Sequence, residues 1–550
     1  MSLPGYLFSF CLVISLVKCE NTNHTTGTTI IQIKNGELRG RILKTVDLNH
    51  VYYAYQGIPY AEPPIGHLRF EPPVPKQNWY GVFDATKDGN VCVQGNPAIG
   101  SEDCLNLNVY VPEVSKYYKA LLPTMVFIYG GGFEAGFATY DLYGPDHLLE
   151  KGVVVVTLNY RTGILGFSST GDLVIPGNNG LKDQVLALKW VKENIEFFGG
   201  DPNQVTLFGQ SAGSASVSYH MQSKLSRGLF HRAILESGVS LTPWAFSRRG
   251  PEVLKIVAND LWIDTSNTRE MVNKLRKVDY KLLQEKAASA VAFQYLKDDP
   301  RHGFIFSPVI EPQHDNAFLT QKSHQMLSNG DFAKVPCIVG FNSLEGTFNF
   351  GTLFRVWLLR YDLDHTKLLP IDLNAKKEKK DTAADYIKKH YFNGYLIALS
   401  DRKLMKYLSD DLFVRPVREF VRLVSQHVPV YFYQFTYEGG LWGFANRTQH
   451  GVTHSEELGY LWRSKFSPSE SDLLMRKRMT SMWTDFAKTG NPTPKKYFTS
   501  SEVIWKTTDS NFTYLDIGDE LLLSQHPNKA SMTLWDQIYQ LYGNPPYDTY

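Results

Sequence analysis

Net charge is almost absent from this chain: 57 Lys and Arg against 55 Asp and Glu leave +2 over 550 residues. Such a balance gives nucleic acid or an anionic membrane little to hold, and neither is expected as a partner. Long apolar runs are also missing. Beyond the first twenty residues none reaches the roughly 18 that a transmembrane helix requires, so no integral membrane segment is expected in the mature chain. The sequence has no internal repeat and no low-complexity linker. The phosphate-cradling patterns, Gly-Lys-Ser/Thr or a spaced Gly-x-Gly-x-x-Gly, do not occur either, which argues against a nucleotide site. What is present is ordinary for a globular protein: 43% hydrophobic and 20% charged residues exclude wholesale disorder and a fibrous fold.

Cysteine is scarce, with five in the chain, and two of them fall in a segment of a different kind. Residues 7–17, LFSFCLVISLV, are an apolar run too short to span a bilayer, followed by Lys18, Cys19 and Glu20. Val17 and Cys19 stand at plausible −3 and −1 positions for cleavage, so residues 1–19 read as a signal peptide and the mature protein as secreted. Cys11 and Cys19 leave with it. Cys92 and Cys104 are near enough to close a short loop, worth about 3 kcal/mol in a chain-entropy account. Cys337 lies in the apolar run VPCIVG and reads as an inert core thiol. Glycosylation sequons at Asn23, Asn446 and Asn511 fit a secreted glycoprotein. No feature of the sequence fixes an oligomeric state.

From Ile30 to about Val111, short β-type runs alternate with turn signals such as Asn35-Gly36, Pro63-Pro64 and Pro72-Pro73, as in hairpins and covering loops. From residue 123 the pattern changes. PTMVFIYGGGF and KGVVVVTLNYR are too continuously apolar to have a wet face. Leu181, Val185, Leu188, Val191 and Ile195 recur at spacings of 3 and 4, predicting an amphipathic helix over 180–198. QVTLFG, VPCIVGF and VPVYFYQF are further buried strands. Strand, helix and strand in succession predict one α/β domain over residues 20–550, a large, mostly parallel sheet with helices on both faces and long loop insertions. Lys376–Lys380 reads as a solvated surface segment.

The sharpest chemical signal is Gly209-Gln210-Ser211-Ala212-Gly213, directly after the strand QVTLF. Gly-x-Ser-x-Gly at a strand-to-helix junction holds a serine on a turn so tight that its neighbours must be small, and aims a helix N-terminus at developing negative charge. A nucleophilic serine needs a base and an orienting acid, expected in the order Ser, Asp or Glu, His. Glu345, on the loop after VPCIVGF, is the candidate acid. Two histidines, His450 and His454, compete for the base, and periodicity does not separate them. Tyr129-Gly130-Gly131-Gly132-Phe133 follows the strand TMVFI, where the backbone N–H groups of Gly131 and Gly132 can join that of Ala212 around an oxyanion.

These motifs, taken together, resemble the type-B carboxylesterases, a family that includes cholinesterases, juvenile hormone esterases and neuroligin-type adhesion proteins. The resemblance runs over nearly the whole mature chain: Tyr55–Pro64, Leu68-Arg69-Phe70, Ser101–Leu107, the glycine triplet, Leu158–Arg161, Gly177–Gln184, Phe198–Pro202 and Phe208–Gly213. It implies an α/β-hydrolase fold, with Ser211, Glu345 and His454 catalytic and Gly131, Gly132 and Ala212 as the oxyanion hole. Gly-x-x-His-x-x-Glu, the family pattern, falls on Gly451–Glu457 and so favours His454 over His450. It also implies that Cys92 and Cys104 are bridged and that Trp244 lines the acyl pocket. Two departures bear on substrate. The family's second disulfide has no counterpart, and the eleven-residue loop between Cys92 and Cys104 lacks the tryptophan that cholinesterases stack on a quaternary ammonium.

The expected reaction is hydrolysis of a small carboxylic ester through an acyl-serine, with no metal and no organic cofactor. Gln210 stands where cholinesterases carry a glutamate, which points to neutral, apolar esters. Gly-Gln-Ser-Ala-Gly is the form shared with secreted insect juvenile hormone esterases, the alternative reading. A non-catalytic adhesion protein is disfavoured, because all three catalytic residue types are present.

Overall fold

The computed structural model describes residues 27–113, 120–346, 358–442, 450–494 and 503–549. The expected signal peptide (residues 1–19), Asn23 and Asn446 lie outside them. Among the described residues thirteen strands form one sheet. The first five are β1 (Gly27–Ile33), β2 (Gly36–Lys44), β3 (Val51–Pro59), β4 (Val82–Asp84) and β5 (Asn106–Pro112). Four more follow: β6 (Leu122–Ile128), β7 (Val154–Leu158), β8 (Gly200–Gln210) and β9 (Arg232–Glu236). The last are β10 (Cys337–Asn342), β11 (Val430–Phe435), β12 (Thr513–Ile517) and β13 (Leu521–Gln525).

The order is β1-β2-β3-β5-β7-β6-β8-β9-β10-β11-β12-β13, with β4 beside β2. From β7 to β12 neighbours run parallel, while β1, β2, β3 and β5 make an antiparallel wing. The division follows from the side chains. Every residue of β7, β10 and β11 is buried, so these strands must have cover on both faces, as parallel strands do. In β1 and β2 exposed residues recur at alternate positions, which suits a sheet with one wet face.

The helix expected over 180–198 is α1 (Asn179–Asn194), tightened into a 3-10 turn at Ile195–Phe198. Its Leu181, Val185, Leu188, Val191 and Ile195 are all buried, as the spacing requires. A second helix, α2 (Ala212–Gln222), starts immediately after Ser211 and packs on β8 and β9. Lys376–Lys380 is exposed and leads into a helix at Lys380–Phe392. Cys92 and Cys104 are bridged, Cys337 is a buried free thiol, and Asn511 is exposed in a turn before β12.

This topology gathers the candidate residues. β6, β8, β9, β10 and β11 are consecutive neighbours, and parallel strands end on the same side. Gly130–Gly132 follow β6, Ser211 follows β8, Trp244 follows β9, Glu345 follows β10 and His454 follows β11. The crevice at the carboxyl ends of parallel strands is where α/β sheets bind their ligands.

Candidate active site

Ser211 occupies a conformation that an L-residue adopts only under constraint, φ 59° and ψ −124°. The constraint is packing on each side of it. A Cβ on Gly213 would collide with the carbonyl oxygen of Ile128, at the end of β6, so no larger residue fits there. The Ser211 N–H donates to the carbonyl of Glu236 at 2.8 Å, tying the turn to β9.

Glu345 is fully buried. It accepts hydrogen bonds from the Ser237 hydroxyl, from the Asn342 N–H at 2.6 Å and from His454 Nδ1 at 2.6 Å. With Nδ1 donating to Glu345, Nε2 of His454 is left as an acceptor. It lies 3.3 Å from the side-chain amide of Gln210, the residue before the serine. His450 is elsewhere: its side chain is 86% exposed, against 10% for His454, and its Nδ1 is 3.3 Å from Glu438.

The glycine loop closes the other side. A Cβ on Gly130 would lie 2.8 Å from Cβ of Ser211, and Gly131 and Gly132 have φ of 110° and 65°, which glycine adopts without strain. None of the N–H groups of Gly131, Gly132 and Ala212 donates to a carbonyl or side chain among the described residues. Donors without a partner beside a serine are what an oxyanion site requires.

Trp244 is 4% exposed, within one ring width of the turn, since a Cβ on Gly238 would lie 3.2 Å from its Cη2 and 2.5 Å from the Ser211 carbonyl oxygen. Its ring packs against Phe304 (5.8 Å) and Phe413 (5.7 Å), and Phe413 in turn packs 5.0 Å from His454. The Phe413 contact has no signal in the sequence; it depends on a π-helical turn, Asp410–Val414, between two α-helices. Ser237 could have been suspected from its place after a strand, but that strand, β9, does not stand out in the sequence.

Two more buried acids surround the site. Trp483 Nε1–H donates to Glu236, and Asn342 donates through Nδ2 to Glu457. Burial pushes the Glu236 carboxyl up to about 8. Burial, reinforced by the neighbouring charges of Glu345 and Glu236, holds Glu457 well above the usual carboxylate range. A group of Asp47, His147 and Glu150 has metal-like spacing, but Arg476 already places a cation 3.0 Å from Asp47.

A mostly parallel sheet with a strained serine turn at its carboxyl edge defines an α/β-hydrolase. Residues 27–535 match the carboxylesterase family, and the chain belongs to it. It is 37% identical to juvenile hormone esterase of Tribolium castaneum, covering 90% of this chain and 89% of the relative. It is 35% identical to esterase FE4 of Myzus persicae, over 92% and 91%. The fold is similar to the crystal structure of juvenile hormone esterase from Manduca sexta, with a TM-score of 0.82 at 30% identity, covering 94% of this chain and 100% of that one. The protein is a carboxylic ester hydrolase.

Proposed function

We propose that the chain is a single-domain, secreted serine carboxylesterase acting on neutral, apolar esters. Ser211 Oγ attacks the ester carbonyl while His454 Nε2 takes its proton, and Glu345 holds Nδ1–H and stabilises the imidazolium. The N–H groups of Gly131, Gly132 and Ala212 receive the developing oxyanion; one such donor is worth about 3–4 kcal/mol. The proton passes to the departing alcohol, and water activated by His454 then releases the acid from the acyl-serine. The observation that carries the reading is the 2.6 Å bond between Glu345 and His454 Nδ1, with Nε2 of the same ring 3.3 Å from the side-chain amide of the residue before Ser211. The test is Ser211→Ala: turnover of p-nitrophenyl acetate should vanish, and a fluorophosphonate should label Ser211 in the wild type only. Near wild-type turnover by the variant would overturn the assignment.

The neutral preference is supported by Gln210, by the short Cys92–Cys104 loop without tryptophan, and by the apolar neighbours Trp244, Phe304 and Phe413. A missing cation–π contact forfeits about 2 kcal/mol in a desolvated site, roughly thirtyfold in binding. Near neutral pH, kcat/KM for butyrylthiocholine should therefore fall below that for its uncharged 3,3-dimethylbutyl thioester analogue. A second reading, juvenile hormone as the ester, is supported by the Gly-Gln-Ser-Ala-Gly turn and by the likeness to two proteins of that name. Hydrolysis of an ester panel that includes the hormone decides between them.

A further inference from the structure

Between Gly130 and Ala138 the loop that carries the free N–H donors has a single titratable side chain, Glu134. Two chain steps, at most about 7 Å of backbone, separate it from Gly132. Its position is fixed on several sides. The N–H groups of Glu134 and Ala135 both donate to the Gly131 carbonyl at 3.1 Å, the Phe133 carbonyl accepts from Gly163 at 2.7 Å, and the Gln94 side chain bonds both the N–H and the carbonyl of Gly136.

The side chain itself is oddly provided for. The residue is partly exposed, so it borders open space, yet its Oε1 is buried with no hydrogen-bond partner. A buried acceptor without a partner is costly and uncommon. The titratable group facing it is Tyr295, from the helix Tyr280–Lys297, whose hydroxyl accepts from the Ile305 N–H at 3.3 Å.

We infer that Glu134 is a specificity-determining residue of the esterase site: a carboxyl fixed beside the oxyanion loop, in reach of a bound ester, that selects substrates by charge. The inference rests on the esterase reading above. Burial alone pushes the Glu134 carboxyl up to about 7, and Tyr295 is held well above the ordinary tyrosine range, so it stays a neutral phenol while Glu134 changes charge. Protonated, Glu134 adds no charge to the site, which suits neutral esters. Ionised, it sets a negative charge beside the site that attracts a cationic group on the substrate. The preference for uncharged esters is thus strongest below neutrality and narrows above it.

The test uses the full chain and the same matched pair, butyrylthiocholine and its 3,3-dimethylbutyl analogue, neither of which titrates. The ratio of their kcat/KM values, cation over neutral, is followed from about pH 5.5 to about 8.5. Ionisation of the general base affects both substrates alike and cancels. In the wild type the ratio should rise about tenfold, as for one new opposite charge nearby, and in Glu134→Gln it should stay flat. A flat wild-type ratio overturns the proposal with no variant needed, and so does a rise that persists in Glu134→Gln. Fluorophosphonate titration counts competent sites in both proteins. If the wild type turns over neither ester and takes no label, the esterase reading has failed instead.

Discussion

His450 and His454 are four residues apart in one loop, and what separates them is burial. The Nδ1 of His454 is 2.6 Å from a fully buried carboxyl, whereas His450 faces solvent beside Glu438. Removing a general base typically costs a hundredfold to ten-thousandfold, so His454→Ala should lose about that much kcat. His450→Ala should stay within about twofold of wild type, since surface changes away from a site do little. Steady-state kinetics on one neutral ester measures both, and the reverse pattern would move the base. Local pattern cannot rank two loop histidines. Only the resemblance to the family, through its pattern on Gly451–Glu457, favours His454, and Glu457 of that pattern is the buried acid that Asn342 holds beside Glu345.

The elements legible in the sequence are those whose period declares them. Residues 153–156 and 337–341 are apolar without interruption, and α1 repeats its apolar residues at helical spacing. β9 does not declare itself. Arg232-Ala233-Ile234-Leu235-Glu236 has a charged residue at each end and looks like a piece of surface, yet Glu236 is completely buried. It is tolerated because burial pushes its carboxyl up to about 8, leaving it neutral, and Trp483 donates to it. A raised acid is cheapest to bury below its unfolded pKa of about 4.3. Between there and its folded value the unfolded chain releases a proton that the folded chain keeps, so its contribution to stability is lost as pH rises. Glu236→Gln keeps an acceptor for Trp483 and cannot ionise. Its stability relative to wild type should therefore climb from about pH 5 to about pH 8, measured by urea unfolding. A difference independent of pH would mean that Glu236 is charged when folded.

At the scale of the whole molecule, the carboxyl-terminal segment is tied to the site through charges that no local pattern reveals. Asp372 accepts from the Tyr539 hydroxyl and from the backbone N–H groups of Asp548 and Thr549, each at 2.7 Å, across 177 residues of sequence to Thr549. Arg415 donates to Tyr539 (3.1 Å), Thr549 (2.9 Å) and Asp411 (3.0 Å), and Asp411 also faces Arg301 at 3.1 Å. Asp411 and Phe413 belong to the same π-helical turn, and Phe413 packs on His454. Asp548 and Thr549 are thus linked, through a buried network of alternating sign, to the turn that packs on His454. Asp372→Asn removes a negative charge near Arg415, which keeps its ion pair with Asp411, and weakens the hydrogen bonds from Tyr539 and Thr549, a change that should cost about 1–3 kcal/mol. The effect should depend on pH in a defined sense. Against the cost of burial, the Arg415 charge and the hydrogen bonds from Tyr539 and Thr549 lower the Asp372 carboxyl below its ordinary value. Its contribution is therefore complete above the unfolded value of about 3.9 and is lost as pH falls through the lower, folded one. Urea unfolding of wild type and Asp372→Asn should show a constant gap from neutrality to about pH 5, closing at more acid pH. A gap that persists in strong acid would mean that the asparagine disrupts packing and that the charge of Asp372 holds nothing.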